Sequence, residues 1–130
     1  TGIYRRSFTV PDTWQDGKTI LRFDGVGSAF DVWINGIHCG YSKVSRLASE
    51  FDISHCVVIG ENQITVRVYQ WSDGSYLERQ DMWVFSGIVR DVTVYHESAC
   101  SISTCFVCGD LKNGYKDGVL YANVLLNAEA

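Results

Sequence analysis

An all-β fold, an antiparallel sandwich or jelly roll, is what the 130 residues predict. Three observations carry this. Nearly every periodic segment alternates apolar and polar residues with period two, the mark of a strand with one buried face. The segments are short and evenly spaced, with turn residues between them. No segment keeps a helical period over three turns, and the best stretch, Lys43 to Glu50, is too short for a stable isolated helix.

The elements follow in order. "IYRRSFTV" sets Tyr4, Phe8 and Val10 on one face and stops at Pro11, which cannot donate to a ladder. "TILRFDGV" is short and β-prone. "AFDVWI" and "IHCGYS" flank Asn35-Gly36, a pair that favours a two-residue type I′ hairpin because both central residues need positive φ. "SEFDIS" is a further extended piece, and "IGEN" reads as a turn. In "QITVRVYQW", Ile64, Val66 and Val68 face one way and Thr65, Arg67 and Tyr69 the other. "IVRDVTVYH" aligns Ile88, Val92 and Val94. Two last strands are expected at "SISTCFVC" and "GVLYANVLL", joined by the loop "GDLKNGYKD".

A domain boundary is expected near Glu97 to Ser101. About 30 residues follow it, too few for a second complete domain. The chain opens at Thr1 without a methionine and ends in the strand-like run "VLYANVLLNAEA", so it is expected to be part of something longer. The net charge of −4 argues against a nucleic-acid partner, which needs a basic face. No apolar run approaches the roughly 20 residues of a membrane span, and no charged leader precedes an apolar core. Five cysteines, an odd number in a chain of this size, suit a reducing compartment, and the cytoplasm is the expected location.

Cys105 and Cys108 form a C-x-x-C, with Cys100 and His96 nearby. On a strand that spacing turns the two thiols to opposite faces, which disfavours zinc, and no helix begins there to make a redox motif. The favoured reading is cysteine as a small apolar residue. His38 and His55 each precede a cysteine, but neighbours on a strand face apart, and no flanking sequence supports a nucleophilic pair. "DGVGSAF" lacks the lysine and helix of a phosphate loop, so its glycines are expected to serve a turn or a close strand crossing.

The most informative stretch is "WSDGSYLERQDMWVFSG", residues 71–87, with two tryptophans, a tyrosine, a phenylalanine and three carboxylates. The residues alone leave two readings open. Asp73-Gly74 is a turn pair, Arg79 sits between Glu78 and Asp81, and Trp83 and Phe85 suit a core. Equally, aromatic faces stack on sugars, carboxylates accept hydrogen bonds from hydroxyls, and such groups gather on loops of β scaffolds. Glu78 and Asp81 as a complete glycosidase pair is disfavoured, because both come from one short loop and such a pair must flank the scissile bond.

Together "YRRSFTVPDTW", "FDGVGSAFDVWINGIHCGYSKVSRLASEFDIS" and "GENQITVRVYQWSDGSYLERQDMWVFSGIVRDV" resemble the β-galactosidases of glycoside hydrolase family two, continuously from Thr1 to about His96. The resemblance implies a galactose-binding-like jelly roll over residues 1–97, its first part lying upstream, and the start of an immunoglobulin-like domain over 98–130. It implies that the acid/base and nucleophile are glutamates of a barrel outside this chain, so no catalytic residue is expected here. The aspartate of "QDMW" carries over: Asp81 is expected to contact the galactose and to help hold a sodium ion, with Gln80, Met82 and Trp83 positioning the loop. Magnesium is expected in the parent enzyme, on ligands outside this chain. Implied partners are a β-galactoside such as lactose, the parent's other domains and further copies in a homo-oligomer. Two departures from the family pattern, Arg79 and Val84, alter the loop's electrostatics but leave Asp81 in place. A β-glucuronidase or β-mannosidase relative, and a stand-alone carbohydrate-binding module, are the rival readings.

Overall fold

A computed structural model describes residues 1–78, 80–81 and 83–128. Arg79 and Met82, with the local effects expected of them, lie outside the described residues, as does the end of the last strand-like run. Two compact units are present, Thr1–His96 and Glu97–Ala130. The elements are β1 (Gly2–Val10), β2 (Lys18–Phe23), β3 (Val26–Gly27), β4 (Ala29–Ile34), β5 (Ile37–Ser42) and β6 (Ser49–Asp52). Then come β7 (Gly60–Tyr69), α1 (Asp73–Leu77), β8 (Gly87–Ile88), β9 (Val92–Glu97), β10 (Cys100–Lys112) and β11 (Asp117–Ala128). The pairs β1-β7, β2-β6, β3-β8, β4-β5, β4-β7 and β10-β11 are antiparallel. No helix among the described residues is long and apolar enough to cross a membrane.

The first unit is built on a four-stranded sheet ordered β1-β7-β4-β5 and a three-stranded sheet ordered β6-β2-β9. The predicted alternation sorts the two faces of the larger sheet. Phe30, Val32 and Ile34 of β4 and Val66 and Val68 of β7 point inward, where they join Leu21, Phe23 and Val26 in one buried cluster. Phe30 and Phe23 touch with ring centroids 4.7 Å apart, and Phe51 of β6 meets both edge-on. Burying one such side chain is worth about 1.5–3 kcal/mol, so this cluster is the main stabilising contact between the sheets.

Turn chemistry sets the register. Asn35 and Gly36 take φ of 52° and 85°, as a type I′ hairpin demands, and Ile34 pairs with Ile37 across the turn. A bulge follows: Trp33 pairs with His38 but Val32 pairs with Gly40, leaving Cys39 as the extra residue. A Cβ on Gly40 would lie 2.3 Å from the Phe51 ring, so only glycine lets β5 pack this closely.

Three expectations are corrected. "IGEN" is not a free-standing turn, because β7 already starts at Gly60. The buried Asn62 side chain replaces the missing backbone partners. It accepts from the Val58 N–H at 2.8 Å and donates to the carbonyls of Val58 (2.6 Å) and Gly60 (2.9 Å). "IVRDVTVYH" is two pieces, because Val89 donates to the Gly25 carbonyl while the Asp91 carbonyl accepts from Asp24, carrying the chain from one sheet to the next. Ile88 and Val94 still pack on the core, whereas Val92 is exposed. In the second unit the expected loop "GDLKNGYKD" shrinks to residues 113–116, since Gly109 to Lys112 pair with Asp117 to Leu120. That unit is a long β10-β11 hairpin with Ile102, Phe106, Leu120, Leu125 and Leu126 exposed on it.

Candidate functional site

The stretch from Trp71 to Gly87 leaves the sheet at the end of β7 and returns at β8. Its first half is ordered by short-range bonds that leave no periodic signal in the sequence. The Ser72 N–H donates to Ser75 Oγ at 3.0 Å, and the Glu78 N–H to the Gly74 carbonyl at 2.8 Å, closing the single turn of α1. Five residues are too few to produce a periodic signal, which is why this helix was invisible in the sequence. Asp73, in the first turn, binds Lys43 Nζ at 2.6 Å and accepts from the Gly74 N–H at 2.9 Å. Its hydrogen bond from Lys43, then that from Gly74, hold its carboxyl below the usual range. Asp73 is therefore tied to its own loop and to the segment after β5.

The second half is held from below. Gly27 of β3 pairs with Gly87 of β8, and a Cβ on Gly27 would lie 2.8 Å from the Phe85 carbonyl oxygen. Glycine thus permits the loop to lie on the strand. A cleft of about 220 Å³ opens here, lined by Ser28, Ser45, Glu78, Gln80, Trp83 and Phe85 among others. The aromatics are not core: Trp83 is 86% exposed and Phe85 71%, with Trp71 also exposed. Large apolar side chains clustered in solvent mark a surface that meets a ligand or partner.

The three acids take different positions. Asp73 is paired, Glu78 is half-buried in the cleft wall, and Asp81 is exposed with no hydrogen-bond or ion-pair partner among the described residues. An unpaired carboxylate is the one free to accept hydroxyl hydrogen bonds or to serve as a hard oxygen ligand. His38 does not turn to Cys39. Its Nε2 lies 3.1 Å from Asp31 Oδ1, and its ring meets Trp33 edge-on. Cys100, Cys105 and Cys108 are exposed free thiols on the second unit's hairpin.

A second polar cluster lies away from this loop. On the outer face of the larger sheet, Asp31 Oδ2 accepts from the Tyr69 hydroxyl at 2.6 Å and from Arg67 Nη2 at 2.9 Å. The Arg67 guanidinium lies 5.1 Å from the Trp33 ring and 5.2 Å from the Tyr69 ring. Burial works against charge on Asp31, but the hydrogen bonds from Tyr69, Arg67 and His38 outweigh it and leave the carboxyl below the usual range. Strand parity placed Arg67 and Tyr69 outward, yet the pairing of Asp31 with them depends on the β4-β7 register, which no local signal reports.

A β-sandwich whose loop presents exposed aromatics and acids beside a cleft has the make-up of a ligand-recognising β-sandwich domain. Residues 1–98 match the family described as glycosyl hydrolases family 2, sugar binding domain, and the chain belongs to that family. It is 50% identical over 118 residues to a β-galactosidase from Psychromonas ingrahamii and 46% identical over 128 residues to one from Pseudoalteromonas haloplanktis. These alignments cover 91% and 98% of this chain but only 11% and 12% of those proteins. Among solved structures, a β-glucuronidase from an uncultured Clostridium superposes with a TM-score of 0.83 at 28% identity, covering 97% of this chain and 24% of that one. A β-glycosidase from Bacteroides vulgatus gives 0.80 at 27% identity, covering 98% and 16%.

Proposed function

We propose that these residues are the non-catalytic N-terminal part of a β-galactosidase that hydrolyses terminal β-D-galactosides with retention. The carrying observation is the 46–50% identity to two proteins named β-galactosidase along nearly the whole chain. In this reading two barrel glutamates outside these residues perform the chemistry, and residues 98–130 begin an immunoglobulin-like domain.

Asp81 is the residue proposed to reach the sugar. Its carboxylate is exposed and unpaired among the described residues, and it fits one position in the shell of a sodium ion beside the substrate. Sodium there would fix a sugar hydroxyl, and Asp81 would orient both. The ligands of a magnesium ion are assigned outside this chain. The parent is proposed to be a cytoplasmic homo-oligomer, and five free thiols suit that reducing compartment.

Purified residues 1–130 are expected to release no product from a chromogenic β-galactoside. The full-length protein should cleave it in preference to the matching β-glucuronide and β-mannoside. Preference for either of those would overturn the assignment. Measurable affinity of residues 1–130 alone for galactose or lactose would instead favour a stand-alone binding module.

A further inference from the structure

Cys39 and Cys56 belong to no part of the sugar site, yet their sulfurs lie 2.9 Å apart. Two features of the fold bring them together. The bulge in β5 leaves Cys39 as the unpaired extra residue, and its side chain packs against the buried cluster that contains Cys56. Cys56 sits in the turn after β6, where its N–H donates to the Ile53 carbonyl at 2.8 Å and its own carbonyl accepts from Asn35 Nδ2 at 3.1 Å. Asn35 is the hairpin residue between β4 and β5, so the Cys56 backbone is tied to the same hairpin that carries Cys39. Cys39 is thus placed by the strand bulge and Cys56 by the hydrogen bonds that fix its turn to the β4-β5 hairpin.

We propose that Cys39 and Cys56 form an oxidative modification site, which a small-molecule disulfide such as glutathione disulfide converts to an intramolecular cystine. Cys39, the partly exposed member, attacks first as the thiolate. A bond forms between its sulfur and one glutathione sulfur, and the other glutathione leaves as thiolate. Cys56 then gives its proton to that thiolate or to solvent and attacks the Cys39 sulfur. The bond to glutathione breaks and a second glutathione leaves. Two protein thiols are oxidised to one disulfide, and the oxidant is reduced to two thiols. To reach a bonded separation of about 2.05 Å the sulfurs close by about 0.9 Å.

At rest the pair is protected. Burial, then the hydrogen bond to Cys56, pushes the Cys39 thiol up to about 12, so little thiolate exists at neutral pH. The exposed Cys100, Cys105 and Cys108 should react sooner and serve as internal controls. The cross-link would join residues 17 apart and enclose Lys43 and Ser45, which border the candidate loop.

The test treats the folded full-length protein with glutathione disulfide, alkylates it after denaturation and maps the peptides. The expected result is a Cys39–Cys56 linked peptide as the dominant form of both residues, lighter by two hydrogens and released by dithiothreitol. In Cys56→Ala the reaction should stop with glutathione on Cys39. Recovery of both residues as free thiols, once Cys100, Cys105 and Cys108 are fully modified, would overturn the proposal. So would a link between Cys39 and Cys56 that forms no more readily in the folded protein than in urea.

Discussion

The Tyr69 hydroxyl donates to Asp31 Oδ2 at 2.6 Å, joining β7 to β4 on the outer face of the larger sheet. The same carboxylate oxygen receives Arg67, and its other oxygen faces His38 on β5. One side chain, itself mostly buried, thus gathers groups from the hairpin partner and from the neighbouring strand.

Asp31→Asn should therefore destabilise the first unit. It removes a charged acceptor from three donors, two of them half-exposed, which sets the loss at about 1–2 kcal/mol in urea unfolding. The acid side follows by linkage. Because the folded carboxyl lies below the ordinary aspartate value of about 3.9, its contribution is present above that pH and fades as pH falls through the folded value. Wild type should lose stability more steeply than Asp31→Asn below about pH 4. Parallel acid profiles would show that the cluster contributes nothing.

If the proposed role holds, Asp81→Ala in the full-length protein should lower turnover on a β-galactoside by at least on the order of 10–100-fold, the loss typical when only an outer-shell partner of a bound metal is removed. Activation by sodium should vanish with it. Kinetics that still respond to sodium as in wild type would remove Asp81 from that role.

Lys43→Met breaks the ion pair with Asp73, whose partners are both exposed. Global stability should stay within experimental scatter. Amide exchange across Asp73 to Glu78 should quicken, because the tie holding α1 to the segment after β5 is lost. Unchanged exchange there would mean that the short-range bonds within α1 suffice.

Gly27→Ala should act on the loop rather than on the core. Its Cβ would meet the Phe85 carbonyl oxygen, which is backbone and cannot swing aside. An overpacking cost of about 1–3 kcal/mol is expected, with a change in tryptophan fluorescence as the Trp83 segment is displaced. A neutral substitution would show that the loop has room to lift.

Much of the fold was legible because strand alternation and the Asn35-Gly36 turn are local signals. Inward Val66 and Val68, outward Arg67 and the end of β1 at Pro11 all follow from neighbours in sequence. What escaped depends on contacts across the chain. The bulge at Cys39 breaks parity, so a rule that turns neighbours to opposite faces fails there, and the closeness of Cys39 to Cys56 could not be read. Asn62 builds a turn with its side chain, which pushed the start of β7 earlier than "IGEN" suggested. In the candidate loop, composition marked the stretch but could not separate its acids. Asp73 was recognisable as a turn residue, whereas the lack of a partner for Asp81 among the described residues emerged only with the geometry, and its proposed role rests on resemblance.

The sheet order β1-β7-β4-β5 has a consequence during synthesis. Gly2 pairs with Val68 and Val10 with Gly60, so β1 is synthesised well before β7, its neighbour in this sheet. The β4-β5 hairpin, closed by two residues, can form at once. Among small two-state proteins, such non-local pairing goes with slower folding. Until β7 is made, β1, with its alternating apolar side chains, is a nascent edge open to stray pairing. A chaperone that binds extended apolar strands would meet this unit at β1, in the interval before β7 is made.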